Sequence, residues 1–110
     1  MPEAQALSGV RVLDLTNLFA APQIAATLAD FGADVVKVEP PGGDPIRRIG
    51  VSRDGASPQW ALVARNKRSV ALDLDEEADR SRFERLLAEA DRRGLSKNVV
   101  VPEPGVGLEL

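Results

Sequence analysis

Two short valine-rich segments, Val10-Arg11-Val12-Leu13-Asp14-Leu15 and Ala33 to Glu39, stand on either side of a stretch with helical spacing. A Ser8-Gly9 turn signal precedes the first, and the run Pro40-Pro41-Gly42-Gly43 forbids continuation of the second. Between them Ile24, Ala25, Leu28, Ala29 and Phe31 follow a mainly helical period. Pro22 sits where a first helical residue tolerates proline, and Gly32 is placed to end the helix. Strand, helix and strand within this length predict a βαβ unit, in which the two strands run parallel.

The alternation continues downstream. Ser69-Val70-Ala71-Leu72-Asp73-Leu74 reads as a third strand, and Asp75 is suited to cap a helix whose stripe is Phe83, Leu86, Leu87 and Ala90. Glu76 and Glu77 suit the positive end of that helix. Val99 to Val101 supplies a fourth strand, followed by Pro102 and Pro104. Residues 45–64 have no clear period, and Trp60 to Ala64 stays open between a short helix and an extended piece. The pattern predicts an α/β domain with a mostly parallel sheet and flanking helices. Ligands of such sheets gather beyond the carboxyl ends of the strands. Thr16 to Pro22, Glu39 to Asp44 and Asp73 to Asp75 are therefore candidate site segments.

Composition narrows the chemistry. The 110 residues make one domain's worth of chain, and 44% apolar with 28% charged residues is the balance of a folded protein. Cysteine, histidine and tyrosine are all absent, which excludes disulfides, thiolate nucleophiles, imidazole bases and the commonest transition-metal ligands. No calcium-loop pattern of acids and glycine occurs, so no metal is expected. A net charge of −3, one tryptophan and three phenylalanines argue against nucleic acid as a partner. The start MPEAQALSG lacks a basic n-region and an apolar h-region, and no long apolar run occurs anywhere. A soluble cytoplasmic protein with no membrane partner is expected.

Against the acidic background stands a basic cluster: Arg47, Arg48, Arg53, Arg65, Lys67 and Arg68, with Asp54 the single acid among them. Guanidinium groups bind phosphate in bidentate fashion, and Gly42 and Gly43 allow close backbone approach, so Arg47, Arg48 and Arg68 are candidate anion contacts. A solvated basic surface, or pairing with the acidic helix after Asp75, accounts for the same residues. Half of a dinucleotide fold is a second reading, with Glu39 as the ribose acid; however, no glycine stands between Gly9 and Gly32, where the phosphate-binding fingerprint belongs. Glu39 reads better as a strand-end acid paired with a nearby arginine. Asp14, Asp73 and Asp75 form no demonstrable acid/base pair.

SGVRVLDLTNLFAAPQIAATLADFGADVVKVEPPGGDPIRR, followed by ARNKRSVALDLD, resembles the amino-terminal part of the class III CoA-transferases, the CaiB/BaiF family of formyl-CoA transferase, carnitine CoA-transferase and the α-methylacyl-CoA racemases. The resemblance implies a Rossmann-like α/β domain, here partial, in an interlaced homodimer that moves coenzyme A between acyl-CoA and a carboxylic acid. It implies CoA contacts at Phe19 and Ala20, at Pro40, and at Leu72, Asp73, Leu74 and Asp75. Some members carry arginine where Pro40 stands and lysine where Asp75 stands, so backbone and apolar contacts with the adenosine part are the expectation here. The family's nucleophile is a downstream aspartate that forms a mixed anhydride, and its racemases use a histidine and an acid. Neither is found in this chain, so no catalytic residue is assigned and the chain alone is expected to be inactive. Residues 1–91 read as the amino-terminal part of the family domain and 92–110 as a divergent tail. Within the tail either VVVPEPGV is a shortened echo of a family strand behind a seven-residue insertion, or the residues after Asp91 reflect an altered reading frame or a truncated gene. A non-catalytic CoA or adenine-nucleotide module, a non-functional remnant and a racemase-like fragment stand as alternatives.

Overall fold

A computed structural model describes residues 3–92 and 99–101. Their elements are β1 (Arg11–Asp14), α1 (Ala20–Asp30), β2 (Asp34–Glu39), a 3₁₀ turn (Pro45–Arg48), α2 (Pro58–Ala64), β3 (Lys67–Ala71), α3 (Glu77–Arg92) and β4 (Val99–Val101). All four strands are parallel, in the order β3-β2-β1-β4. The chain is thus an α/β fold with a parallel sheet and flanking helices, as the alternation predicts. The order turns back at β1, the arrangement in which ligands collect at the strands' carboxyl ends. Apart from β4 and Arg92, the tail expected at 92–110 lies outside the described residues.

Each face of the sheet has its own apolar cluster. On one, Val12 and Val35 meet Ala25, Ala29 and Ala33, with Leu7, Val10 and Leu28 around them. On the other, Leu13, Val38 and Leu72 meet Phe83 of α3, with Val36, Val70 and Leu87 beside them. Burial on both faces explains the valine runs, since a covered parallel strand needs apolar residues on both sides.

The helices depart from the expected pattern in instructive ways. α1 buries Pro22, Ala25, Ala26 and Ala29, whereas Ile24 and Phe31, read above as part of its apolar face, are exposed. Alanines let the helix axis approach the sheet closely; Ile24 and Phe31 are turned outward, and Leu28 packs at the margin of the contact. Helix α1 begins at Ala20, so Pro22 lies within the first turn, where its missing N–H breaks no helical bond. Gly32 does end the helix: its φ is +103°, and its N–H donates to the Ala29 carbonyl. α2 is a helix, started by Ser57, whose hydroxyl accepts from Trp60 N–H, with Pro58 following. β3 starts at Lys67 and ends at Ala71, earlier than the valine pattern indicates. Asp75 is not the cap of α3, which starts at Glu77. The turn before it is closed by Asp73, whose Oδ1 accepts from Asp75 N–H at 3.1 Å, and by Asp79, whose Oδ2 accepts from Asp73 N–H at 2.8 Å.

Candidate functional site

Beyond the carboxyl ends of β1, β2 and β3 the three strand-tip segments meet. Residues 15–17, 38–41 and 72–75 line one cleft of about 380 Å³. Its floor is the apolar strand ends, Leu15, Val38 and Leu72, and its walls are the loops that leave them. Pro40, Leu72, Asp73, Leu74 and Asp75 all line it. Phe19 and Ala20 belong to the same β1–α1 connection as the lining residues Thr16 and Asn17, a few residues further on, with Phe19 half-exposed at the start of α1.

The arginines are distributed differently. Arg47 holds Glu39 with two bonds, Nε to Oε1 at 2.7 Å and Nη2 to Oε2 at 2.8 Å, and its guanidinium lies 3.6 Å over the Trp60 ring. Arg48 is exposed and donates to the Gly42 carbonyl at 2.9 Å, beside the Pro40-Pro41 wall. Arg68 lies toward the amino ends of the strands, on the α3 face, paired with Asp34 at 2.7 Å and bordering a separate hollow with Arg11 and Leu86. The structure therefore brings together the residues expected at 40 and 72–75, sets Phe19 and Ala20 at the start of α1 and Arg48 at the end of the 3₁₀ turn, outside the lining, and keeps Arg47 and Arg68 in ion pairs outside it as well. Arg65 pairs with Asp30 and Lys67 with Asp14, so the basic run finds its partners upstream, not on α3.

The titration of Glu39, at the cleft end of β2, is strongly displaced. Burial is the largest single influence and opposes its ionisation. Bonds from Arg47, the Asp44 N–H and Ser69, with the charge of Arg47, together outweigh burial and bring its pKa down to about 2. It is the paired strand-end acid that the sequence indicates. The charges lining the cleft are those of Glu39, Asp73 and Asp75.

Beneath the walls is a buried ionic cluster that sequence reasoning missed. Lys37 Nζ donates to the Thr16 carbonyl at 2.7 Å and lies 3.0 Å from Asp44 Oδ2 and 3.8 Å from Asp14 Oδ2. Lys67 Nζ lies 2.8 Å from Asp14 Oδ2 and donates to the Pro22 carbonyl. Desolvation lowers the pKa of Lys67, with Asp14 opposing that fall. Asp14 Oδ1 accepts from the Thr16 N–H and hydroxyl, and Asp44 Oδ1 from the N–H groups of Leu18 and Ile46. The four side chains are almost wholly excluded from water, with exposures of 0 or 1%. Two acids and two lysines cancel, which makes burial of all four tolerable. A signal existed: Asp14 and Lys37 are register partners on adjacent strands, and opposite charges in two covered strands must face one another.

Residues 7–92 match the model of CoA-transferase family III. The chain belongs to that family. The chain is 44% identical over 88 residues to the succinyl-CoA–L-malate CoA-transferase alpha subunit of Chloroflexus aurantiacus, covering 77% of this chain and 21% of that protein. It is 47% identical over 91 residues to the succinyl-CoA:mesaconate CoA-transferase of Haloarcula hispanica, covering 78% and 23%. The crystal structure of a CAIB/BAIF family protein from Brucella suis superposes with a TM-score of 0.70 at 32% identity, covering 86% of this chain and 29% of that one. The chain thus spans about a fifth of the length of these curated relatives. Among the described residues no helix is long and apolar enough to cross a membrane, and no acidic group is arranged to hold a metal ion.

Proposed function

We propose that this chain forms the amino-terminal part of an enzyme that moves coenzyme A from an acyl-CoA to a carboxylic acid, and that the cleft at residues 15–17, 38–41 and 72–75 seats the adenosine end of CoA. The observation that carries this reading is the convergence of three strand-tip segments on one cleft in a chain whose family is established. Leu15, Pro40, Leu72 and Leu74 offer apolar surface to a base and a pantetheine arm, while Asp73 and Asp75 accept hydrogen bonds from ribose hydroxyls or an exocyclic amine. Phe19 and Ala20 extend the contact along the β1–α1 loop. Arg48, exposed beside Gly42, is the phosphate partner nearest the wall. Arg47 and Arg68 join it only by giving up their present carboxylates.

In this proposal the aspartate that attacks the thioester lies outside these 110 residues, in a cytoplasmic, interlaced homodimer. The chain alone then binds CoA without turnover. Relatives whose names specify succinyl-CoA with L-malate or mesaconate make succinyl-CoA and a dicarboxylic acid the first substrates to assay. Isothermal titration with CoA tests the reading. Saturable heat at submillimolar ligand is expected, and its absence at millimolar CoA overturns it. A second reading, an adenine-nucleotide module without a transferase role, draws on the acidic lining of the cleft. Equal affinity for adenosine and CoA would select it.

A further inference from the structure

The two loops that wall the cleft above β1 and β2 are joined through side chains. Thr16, on the first wall, gives its carbonyl to Lys37 Nζ at 2.7 Å. Asp44, at the end of the second, lies 3.0 Å from the same Nζ. Asp44 Oδ1 then reaches back to the Leu18 N–H at 3.3 Å, while its own N–H donates to Glu39 Oε1 at 2.8 Å, and Glu39 lines the cleft. Leu18 is held at φ +62°, a left-handed conformation that is unfavourable for a residue with a branched side chain and persists where neighbours enforce it.

We infer that Lys37 and Asp44 form a buried clasp that sets the separation of these two walls, which makes Lys37 a positioning residue for the ligand of the cleft. The inference rests on the reading of that cleft as a CoA site. Charge bookkeeping singles out this pair. Asp14 already has Lys67 at 2.8 Å and stands 3.8 Å from Lys37, so the Lys37 charge is left for Asp44. Asp44 Oδ2 receives no hydrogen bond; Lys37 is the cation paired with it, and the charge of Arg47 acts on Asp44 only from beyond ion-pair distance. An apolar residue at position 37 would fill the space without desolvating an ammonium group; it would satisfy neither the Thr16 carbonyl nor Asp44. The stem of Lys37 belongs to the sheet, and its charge belongs to the loops.

Lys37→Met alone strands Asp44 as a buried unpaired anion and is expected to unfold much of the population. The informative variant is Lys37→Met with Asp44→Asn, which removes both charges and keeps an amide oxygen for Leu18 and Ile46. Its urea midpoint should lie well above that of Lys37→Met alone and below that of the parent, the unpaired Thr16 carbonyl being the remaining loss. Amide exchange across residues 16–19 should quicken at least tenfold while residues 35–38 of β2 stay protected, and CoA affinity by calorimetry should fall at least tenfold. Unchanged exchange at 16–19 overturns the clasp. Faster exchange with unchanged CoA affinity overturns the positioning role. If the parent itself fails to bind CoA, the failure is that of the cleft assignment, and the exchange measurement alone decides whether the clasp exists.

Discussion

Replacing Glu39 by glutamine removes one charge at the point where β2 enters the cleft and keeps the shape of the side chain. In the folded chain the carboxylate is 4% exposed and takes bonds from Arg47, the Asp44 N–H and Ser69. A fall in pKa from 4.5 to about 2 corresponds to about 3 kcal/mol of folding free energy, at about 1.4 kcal/mol per tenfold change in proton affinity. Arg47 is 39% exposed, so solvent screening reduces the expected loss to about 2 kcal/mol. For a domain this size that is a substantial part of a total of roughly 5–15 kcal/mol. The folded pKa is depressed, so the contribution is full above pH 4.5 and is lost as pH falls toward 2. Urea unfolding followed by the emission of Trp60, the chain's single tryptophan, reads both states because that ring stacks under Arg47. Glu39→Gln should be about 2 kcal/mol less stable than the parent at pH 7, with the gap closing between pH 4.5 and 2.5. A gap that is constant over that range, or absent at pH 7, refutes the assignment of the shift to this ion pair.

Three further outcomes follow from the same geometry. Gly32→Ala should cost roughly 1–2 kcal/mol in thermal unfolding, because the position has φ +103° and a Cβ there would meet the Gln5 side chain at 2.6 Å. Ala25→Leu should cost roughly 1–3 kcal/mol by overpacking the α1–sheet contact, whereas Ile24→Ala on the exposed side of the same helix should change the melting temperature little. In CoA titrations over a salt series, Arg48→Ala should weaken binding and flatten the salt dependence, while Arg68→Ala, held at the far end of the sheet by Asp34, should leave both unchanged.

The fold was legible because valine runs, Gly32 and the Pro40-Pro41-Gly42-Gly43 block carry local signals that burial and backbone sterics both enforce. The start of β3 was not. Lys67 and Arg68 look like loop residues until it is seen that Lys67, like Ser69, reaches an acid on one face, Asp14 and Glu39 respectively, while Arg68 pairs with Asp34 on the other. The buried side of α1 was misread for a related reason. Periodicity finds an apolar face, but only tertiary packing decides that Ala25 and Ala29, not Ile24 and Phe31, lie against the sheet. For the site, the rule that ligands collect at strand ends marks all three segments from the sequence alone. The clasp beneath them stayed hidden because a charged residue in a strand ordinarily marks a solvent face; here Lys37 sits on a strand covered on both sides.

The central claim is that coenzyme A seats across the carboxyl ends of β1, β2 and β3. Mapping CoA-induced amide shifts by nuclear magnetic resonance tests it most directly. Perturbations concentrated at residues 16–20, 39–42 and 72–75, with Asp34 and Arg68 unmoved, are the predicted result. Shifts clustered at the amino ends of the strands or along α1 beyond its first turn, or no shifts at saturating CoA, would contradict it.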